Sequence, residues 1–348
     1  MDLSKEAEKR GAELNVLVTR LRYLGDVILT TPAVEALKKR YPEAKIYYLA
    51  EKPYGEILER NPNIEKVFSI GTGFFDMLKA VVELRRLGIL AAVDLFYNPR
   101  SAWICYLSKI PIRFGGSRKW RKRFYSEHFS VPDSVKSAVM HHVYALKDLD
   151  VELEAGMPRV FLSTEELDDA SRLLKGLIPK RRGGPLIALH PGAKWQSKRW
   201  KAEYFAELAG RVSDRLNADV LILTGPGDED LASLVSGMST GNTHVIPYLT
   251  IRKTASLISL CDALVANDGG IVHLSVALST PTLALFGPTD PEIWFPYSGR
   301  GSYKVLSLGK GCSPCNLHYC EDRSCLDDMT PDIVFQSLEE VVSNASAR

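Results

Sequence analysis

The sequence predicts an α/β protein built from two successive doubly wound, Rossmann-like parallel-sheet domains facing across a cleft. Three observations carry this. The chain has 348 residues, 45% of them hydrophobic, enough to bury two cores of ordinary domain size. Short apolar runs alternate with helix-period segments along nearly its whole length, the pattern of βαβ units with helices on both sheet faces. The alternation also restarts after linker signals at Gly156-Met157-Pro158 and Pro179-Lys180-Arg181-Arg182-Gly183-Gly184-Pro185. The expected division is a charged extension over 1–14, a first domain over 15–165 and a second over 166–348, ending in a helix.

In the first half, Asn15 to Thr19 reads as a strand that runs into Leu24-Gly25-Asp26-Val27 and a helix from Ile28 to Arg40. Pro32 either starts that helix or kinks it. Asp26 thus stands near a helix N-terminus, where the dipole favours its charged form; it is either a base or simply a cap. Strands over 45–50, 66–70 and 91–96 follow, separated by helices over 54–60 and 74–87. Between Asp94 and Glu127 the chain has no acid but carries Arg100, Lys109, Arg113, Arg118, Lys119, Arg121, Lys122 and Arg123, interleaved with Trp120 and Phe124. Such a run is anion-seeking, toward phosphates, carboxylates or lipid head groups. A helix pattern over 137–150 closes the half.

The second half predicts strands over 186–189, 219–223, 244–246, 263–266 and 282–286, with helices between them. Three strand-to-helix turns carry polar residues: His190-Pro191-Gly192-Ala193-Lys194, Thr224-Gly225-Pro226-Gly227-Asp228 and Asn267-Asp268-Gly269-Gly270. In an open parallel sheet these ends border the ligand crevice, and glycines at a helix N-terminus let a phosphate approach the backbone amides. Lys198 and Arg199 supply mobile positive charge, and Asp228 and Glu229 supply carboxylates for a ribose diol. A nucleotide diphosphate is the ligand these features suit. The alternative for the third turn is a tight turn in which Asp268 caps the helix and His273 is packed away.

The formal charge of +2 gives no global field toward nucleic acid or membrane. The first fourteen residues lack the apolar stretch of a signal peptide, and no apolar run reaches the roughly 18 residues of a membrane span. A cytoplasmic protein, at most peripherally bound to a membrane, is expected. No GxGxxG follows the first strand, which disfavours a dehydrogenase.

The motifs taken together resemble glycosyltransferase family 9, the heptosyltransferases of the lipopolysaccharide inner core. The resemblance is carried by Leu24-Gly25-Asp26-Val27-Ile28-Leu29-Thr30-Thr31-Pro32-Ala33, by His190-Pro191-Gly192-Ala193 with Lys198-Arg199-Trp200, and by Asp268-Gly269-Gly270-Ile271-Val272-His273. It implies a GT-B architecture and metal-independent, inverting transfer of heptose from ADP-heptose, with no cofactor required. It implies Asp26 as the general base, and Gly192, Ala193, Lys198, Asp228, Asp268, Gly269, Gly270 and His273 around the donor. The acceptor would be the acidic inner core, captured by Arg118, Arg121 and Arg123, with contact to the cytoplasmic face of the inner membrane. The family often places a hydroxyl residue where this chain has Gly269, so a backbone contact is expected there. Alternatives are another nucleotide-sugar transferase, a sugar-nucleotide epimerase, or a non-catalytic nucleotide-sugar-binding protein.

Cys105 and Cys261 lie alone in apolar surroundings and read as core thiols. Cys312, Cys315, Cys320 and Cys325 form a cluster open to three readings: free structural thiols, a zinc tetrathiolate that fits the count better than the usual paired spacing, or disulfides.

Overall fold

The structure, a computed structural model, describes residues 1–117 and 119–346. The chain divides into two compact units, Met1–Phe161 and a second beginning at Leu162.

The first unit opens with α1 (Leu3–Arg10), capped by the Asp2 carboxylate and stopped by Gly11 in the left-handed region. This corrects the reading of 1–14 as an extension. Leu3 is fully buried, and the Tyr41 hydroxyl ties the segment down by accepting from the Leu3 amide and donating to the Leu149 carbonyl. There follow β1 (Asn15–Thr19), α2 (Leu24–Ile28), α3 (Thr31–Arg40), β2 (Lys45–Glu51), β3 (Lys66–Ile70), α4 (Phe74–Arg86), β4 (Ala91–Asp94), α5 (Pro99–Leu107), β5 (Ile112–Gly116), β6 (Glu127–Phe129) and α6 (Ala138–Tyr144). The expected helix from Ile28 is in fact two. Thr30 and Thr31 turn their hydroxyls back onto the Val27 and Ile28 carbonyls, and Pro32 lies in the first turn of α3.

All six strands are parallel in the order β3-β2-β1-β4-β5-β6. β1 is buried along its whole length, as a strand covered on both faces must be. α4 and α5 send Ala80, Val81, Leu84, Ile104 and Cys105 into one core with Leu17, Leu49 and Ala92.

The second unit begins with α7 (Thr164–Leu177). A reciprocal cap joins Ser163 and Glu166, so a boundary at 165/166 would cut through the helix start. Then come β7 (Leu186–His190), α8 (Ala202–Arg215), β8 (Asp219–Leu223), α9 (Glu229–Met238), β9 (Thr243–Ile246), α10 (Ile251–Ile258), β10 (Ala263–Asn267), α11 (Gly270–Ala277), β11 (Thr282–Leu285), α12 (Pro291–Trp294), β12 (Tyr303–Leu306), α13 (Ser324–Asp327) and α14 (Pro331–Ser346). The sheet is again parallel, in the order β12-β11-β10-β7-β8-β9. Each sheet therefore reverses its direction of winding between its first and fourth strands: β1 and β4 in one, β7 and β10 in the other. Such switch points are where open α/β sheets bind ligands. Among the described residues no helix is long and apolar enough to cross a membrane.

Candidate active site

The second unit brings most of the predicted donor residues to the ends of β7 and β10. Asp268 follows β10 directly and is only 4% exposed. Its Oδ2 lies 2.6 Å from the Lys198 Nζ and also accepts from the Thr289 hydroxyl. It does not cap α11: the residue before that helix is Gly269, with no side-chain cap bond. The first turn of α11 thus keeps its outward N–H groups, carried by Gly270 and its neighbours, next to a carboxylate and an ammonium. Gly269 has extended backbone (φ 176°), and a Cβ built on it meets only the Asn267 carbonyl, at 3.8 Å. A side chain would fit, so close packing is not what puts glycine there.

Lys198 ends the 3-10 turn Gln196–Lys198. Its ammonium sits 4.2 Å from the centre of the Trp195 ring, a favourable cation–π geometry, and Trp195 stacks at 3.9 Å on His318. Ser197 bonds through its amide and hydroxyl to the carbonyls of His318 and Leu317. The same loop is fastened to the exit of β11 by Ser313 on the Gly287 carbonyl and by the Asn316 amide on the Pro288 carbonyl. The cysteine-bearing loop is thus a brace under both partners of Asp268, Lys198 and Thr289.

Of the three arrangements considered for its thiols, free thiols is the one present. All six cysteines are free, and among the described residues no group of three or more His, Cys, Asp or Glu is placed to hold a metal ion. The zinc and disulfide readings therefore find no support in this geometry. Cys325 is buried beside Leu326 in the core of the unit, and burial pushes its thiol pKa up.

Gly192, Ala193 and Asp228 form a second cluster. A Cβ on Gly192 would come within 2.0 Å of the Asp228 Oδ2, and one on Gly225 within 2.8 Å, so two glycine turns enclose that carboxylate. Asp228 also faces the Arg199 guanidinium at 3.4 Å, and the Arg199 Nε donates to the Ala193 carbonyl at 2.8 Å. Arg199 is therefore anchored, not mobile as expected, and Asp228 is turned inward rather than offered to a ribose. Desolvation lowers the pKa of His190, although the charge of Asp228 works against it. His273 is buried with its ring edge-on to Tyr297.

In the first unit Asp26 lies in the first turn of α2. One carboxylate oxygen accepts from the Tyr23 amide at 3.0 Å, closing a cap, and the other contacts the Arg20 guanidinium. Arg20 is itself fixed by the Leu95 carbonyl at 3.1 Å and by the Phe96 ring. Nearby, the buried Glu51 at the end of β2 is held by Arg100 at 2.7 Å and by Arg22 at 3.7 Å. Asp94, at the end of β4, accepts from the Tyr125 hydroxyl and the Phe96 and Tyr97 amides, and burial raises its pKa. Arg121 and Arg123 lie on the 3-10 segment Lys119–Phe124. Arg118 lies outside the described residues. Sequence reasoning missed Arg20, Arg22, Trp195 and Thr289 as site residues. A basic or aromatic residue near a motif was the only signal for the first three, and Thr289 had none.

The sequence profile of glycosyltransferase family 9 (heptosyltransferase) matches residues 83–324. Lipopolysaccharide heptosyltransferase 1 of Pseudomonas aeruginosa is 26% identical over 341 residues, covering 90% of this chain and 91% of that protein. Among solved structures, a family 9 glycosyltransferase from Veillonella parvula superposes with a TM-score of 0.83 at 23% identity, covering 95% of this chain and 98% of the other. The Escherichia coli ADP-heptose lipopolysaccharide heptosyltransferase II superposes with a TM-score of 0.79 at 22% identity, covering 95% and 99%. The two doubly wound sheets are those of the GT-B fold, and the chain belongs to glycosyltransferase family 9, the heptosyltransferases.

Proposed function

We propose that this glycosyltransferase moves heptose from ADP-heptose to the inner core of lipopolysaccharide, with inversion at the anomeric carbon and without a catalytic metal. The observation that carries the reading is the Lys198–Asp268–Thr289 cluster at the N-terminus of α11, on the switch point of the second sheet. Asp268 neutralises Lys198 here. A donor diphosphate is a stronger partner for the ammonium, so Lys198 turns to it and Asp268 becomes available to sugar hydroxyls. Negative charge grows on the diphosphate as the glycosidic bond breaks. Lys198 and the Gly269 and Gly270 amides then stabilise the transition state more than the ground state. Gly192, Ala193 and Asp228 shape the neighbouring turn, and His273 anchors α11 through its buried ring against Tyr297.

Asp26 is the base that takes the proton of the attacking hydroxyl. Arg20 and the Tyr23 amide orient it. The acidic acceptor is met by arginines of the first domain, Arg118, Arg121 and Arg123 together with Arg22, and the enzyme works in the cytoplasm against the inner membrane.

The test measures ADP release and product formation with ADP-heptose and an inner-core acceptor. Asp26→Ala is expected to lower turnover by about 10²–10⁴ while ADP still binds, the usual contribution of a general base. Normal turnover by the variant would refute the role of Asp26. Calorimetry with ADP-, GDP- and UDP-sugars reads the base preference directly, and equal affinity for all three would remove the case for ADP.

A further inference from the structure

We infer that the outer face formed by α4, α5 and the 3-10 segment Lys119–Phe124 is a docking surface for an anionic lipid bilayer. α4 and α5 lie side by side, because their inner residues enter the same core cluster, and the 3-10 segment packs on α5 through Phe124. Their opposite faces are not polar. Phe75, Leu78 and Val82 follow one another at i, i+3 and i+7 along α4, all exposed, Phe75 to 77%. On the next elements Trp103, Tyr106 and Trp120 are exposed as well, Trp120 to 49%. Soluble surfaces scatter single apolar residues, whereas here an exposed apolar row on α4 and an exposed aromatic cluster on α5 and the 3-10 segment belong to neighbouring elements.

The aromatic side chains are held in place. Trp103, Tyr106 and Trp120 ring Phe124 at centroid distances of 4.6, 5.3 and 5.7 Å. Rigid aromatic rings with one apolar and one polar edge suit the boundary between acyl chains and head groups.

Charge selects the occupant. α4 carries the exposed Lys79 and Arg86, with Arg85 tied to the Leu107 carbonyl, and the exposed Lys109, Lys122 and Arg123 lie on the 3-10 segment or just after α5. The acids of α4 are committed: Asp76 accepts from the Gly73 amide, and Glu83 lies 3.6 Å from the Lys66 ammonium. No carboxylate occurs between Asp94 and Glu127. Apolar side chains rimmed by cations are the complement of a surface of anionic lipids. This rests on the proposed function only for its purpose, to bring the first domain to an acceptor carried in a membrane. Lipid binding is measurable without turnover, so the two readings fail separately.

The test is flotation of the full chain with vesicles of phosphatidylglycerol and phosphatidylethanolamine, against vesicles of phosphatidylcholine. The protein is expected to float with the anionic vesicles, at least tenfold more than with the neutral ones. Raising the salt should release it several-fold, and its tryptophan emission should shift to the blue on binding. Phe75→Ser with Val82→Ser and Trp103→Ser should cut partitioning at least tenfold with an unchanged thermal-unfolding midpoint. Should that variant fold poorly, Lys79→Gln with Arg86→Gln provides the second arm, with a loss confined to anionic vesicles. Absence of flotation with anionic vesicles overturns the inference, and so does wild-type partitioning by a folded variant. A wild-type dimer that the triple substitution turns into a monomer also overturns it, since the face would then belong to a second copy.

Discussion

One added methyl group would be felt very differently at two glycines of the proposed donor site. At Gly192 the added Cβ would lie 2.0 Å from the Asp228 carboxylate, which is itself hemmed in by the Gly225 turn and Arg199. The carboxylate must move, and its ion pair with Arg199 and the neighbouring turn move with it. At Gly269 the same methyl meets nothing nearer than 3.8 Å, and the backbone is extended. Gly192→Ala is therefore expected to cost about 1–3 kcal/mol of stability, and Gly269→Ala less than about 0.5 kcal/mol. Thermal unfolding of the two variants checks this, and an equal loss at both positions would mean that the turns are not packed as described. If Gly269→Ala is stable but binds nucleotide less well, the close approach belongs to the ligand and not to the fold.

Among the elements, α7 and α10 are joined by a partly buried ion pair with clear pH behaviour. Arg252 on α10 donates to both oxygens of Glu166 at 2.6 and 2.7 Å, and that bond is the main cause holding the Glu166 carboxyl down at about 2, from a usual 4.5. A carboxyl whose folded pKa is depressed stabilises the fold at pH values above its unfolded pKa, and the contribution fades as pH falls toward the folded value. Arg252→Met should thus lower stability by about 1–3 kcal/mol near neutrality. The gap to the wild type should narrow as pH drops from about 4.5 toward 2. Denaturant titrations at several pH values measure it, and a gap independent of pH would assign the loss to packing alone.

The elements also differ in how plainly the sequence announces them. β1 and β8 fall where their apolar runs do, because a strand covered on both faces is written as a near-continuous apolar stretch. α5, β5 and β6 were hidden in the basic run. Their inward residues, such as Ile104, Phe114 and Phe129, are spaced among cations that face outward. β12 is an edge strand only partly buried along its length, and its pattern is correspondingly faint. Of the proposed site residues, Asp268 stood out because it follows β10 directly, and Asp26 and Lys198 because they lie on the segments leaving β1 and β7. Thr289 and the Trp195–His318 stack did not, since they arise from distant segments meeting in space.

At the scale of the whole molecule, the two domains repeat one strand order but furnish their switch points with different chemistry. The first has a carboxylate held by an arginine and a backbone amide, Asp26, within a helix of only five residues. The second has the glycine turn and the Lys198 ammonium at the start of α11, which suits an anion. Nucleotide should therefore stabilise the protein through the second domain alone. Free ADP at about a hundred times its dissociation constant adds about 2.7 kcal/mol to the state that binds it, or about 5–10 °C in the unfolding midpoint of a domain of this size. Asp26→Ala should retain that rise. Lys198→Ala should lose most of it, because a charge-assisted bond to phosphate is worth about 1.5–3 kcal/mol, more than tenfold in affinity. Thermal unfolding with and without ADP separates the two variants. The opposite result, with the rise lost in Asp26→Ala and kept in Lys198→Ala, would move the nucleotide to the first domain and exchange the roles of the two switch points.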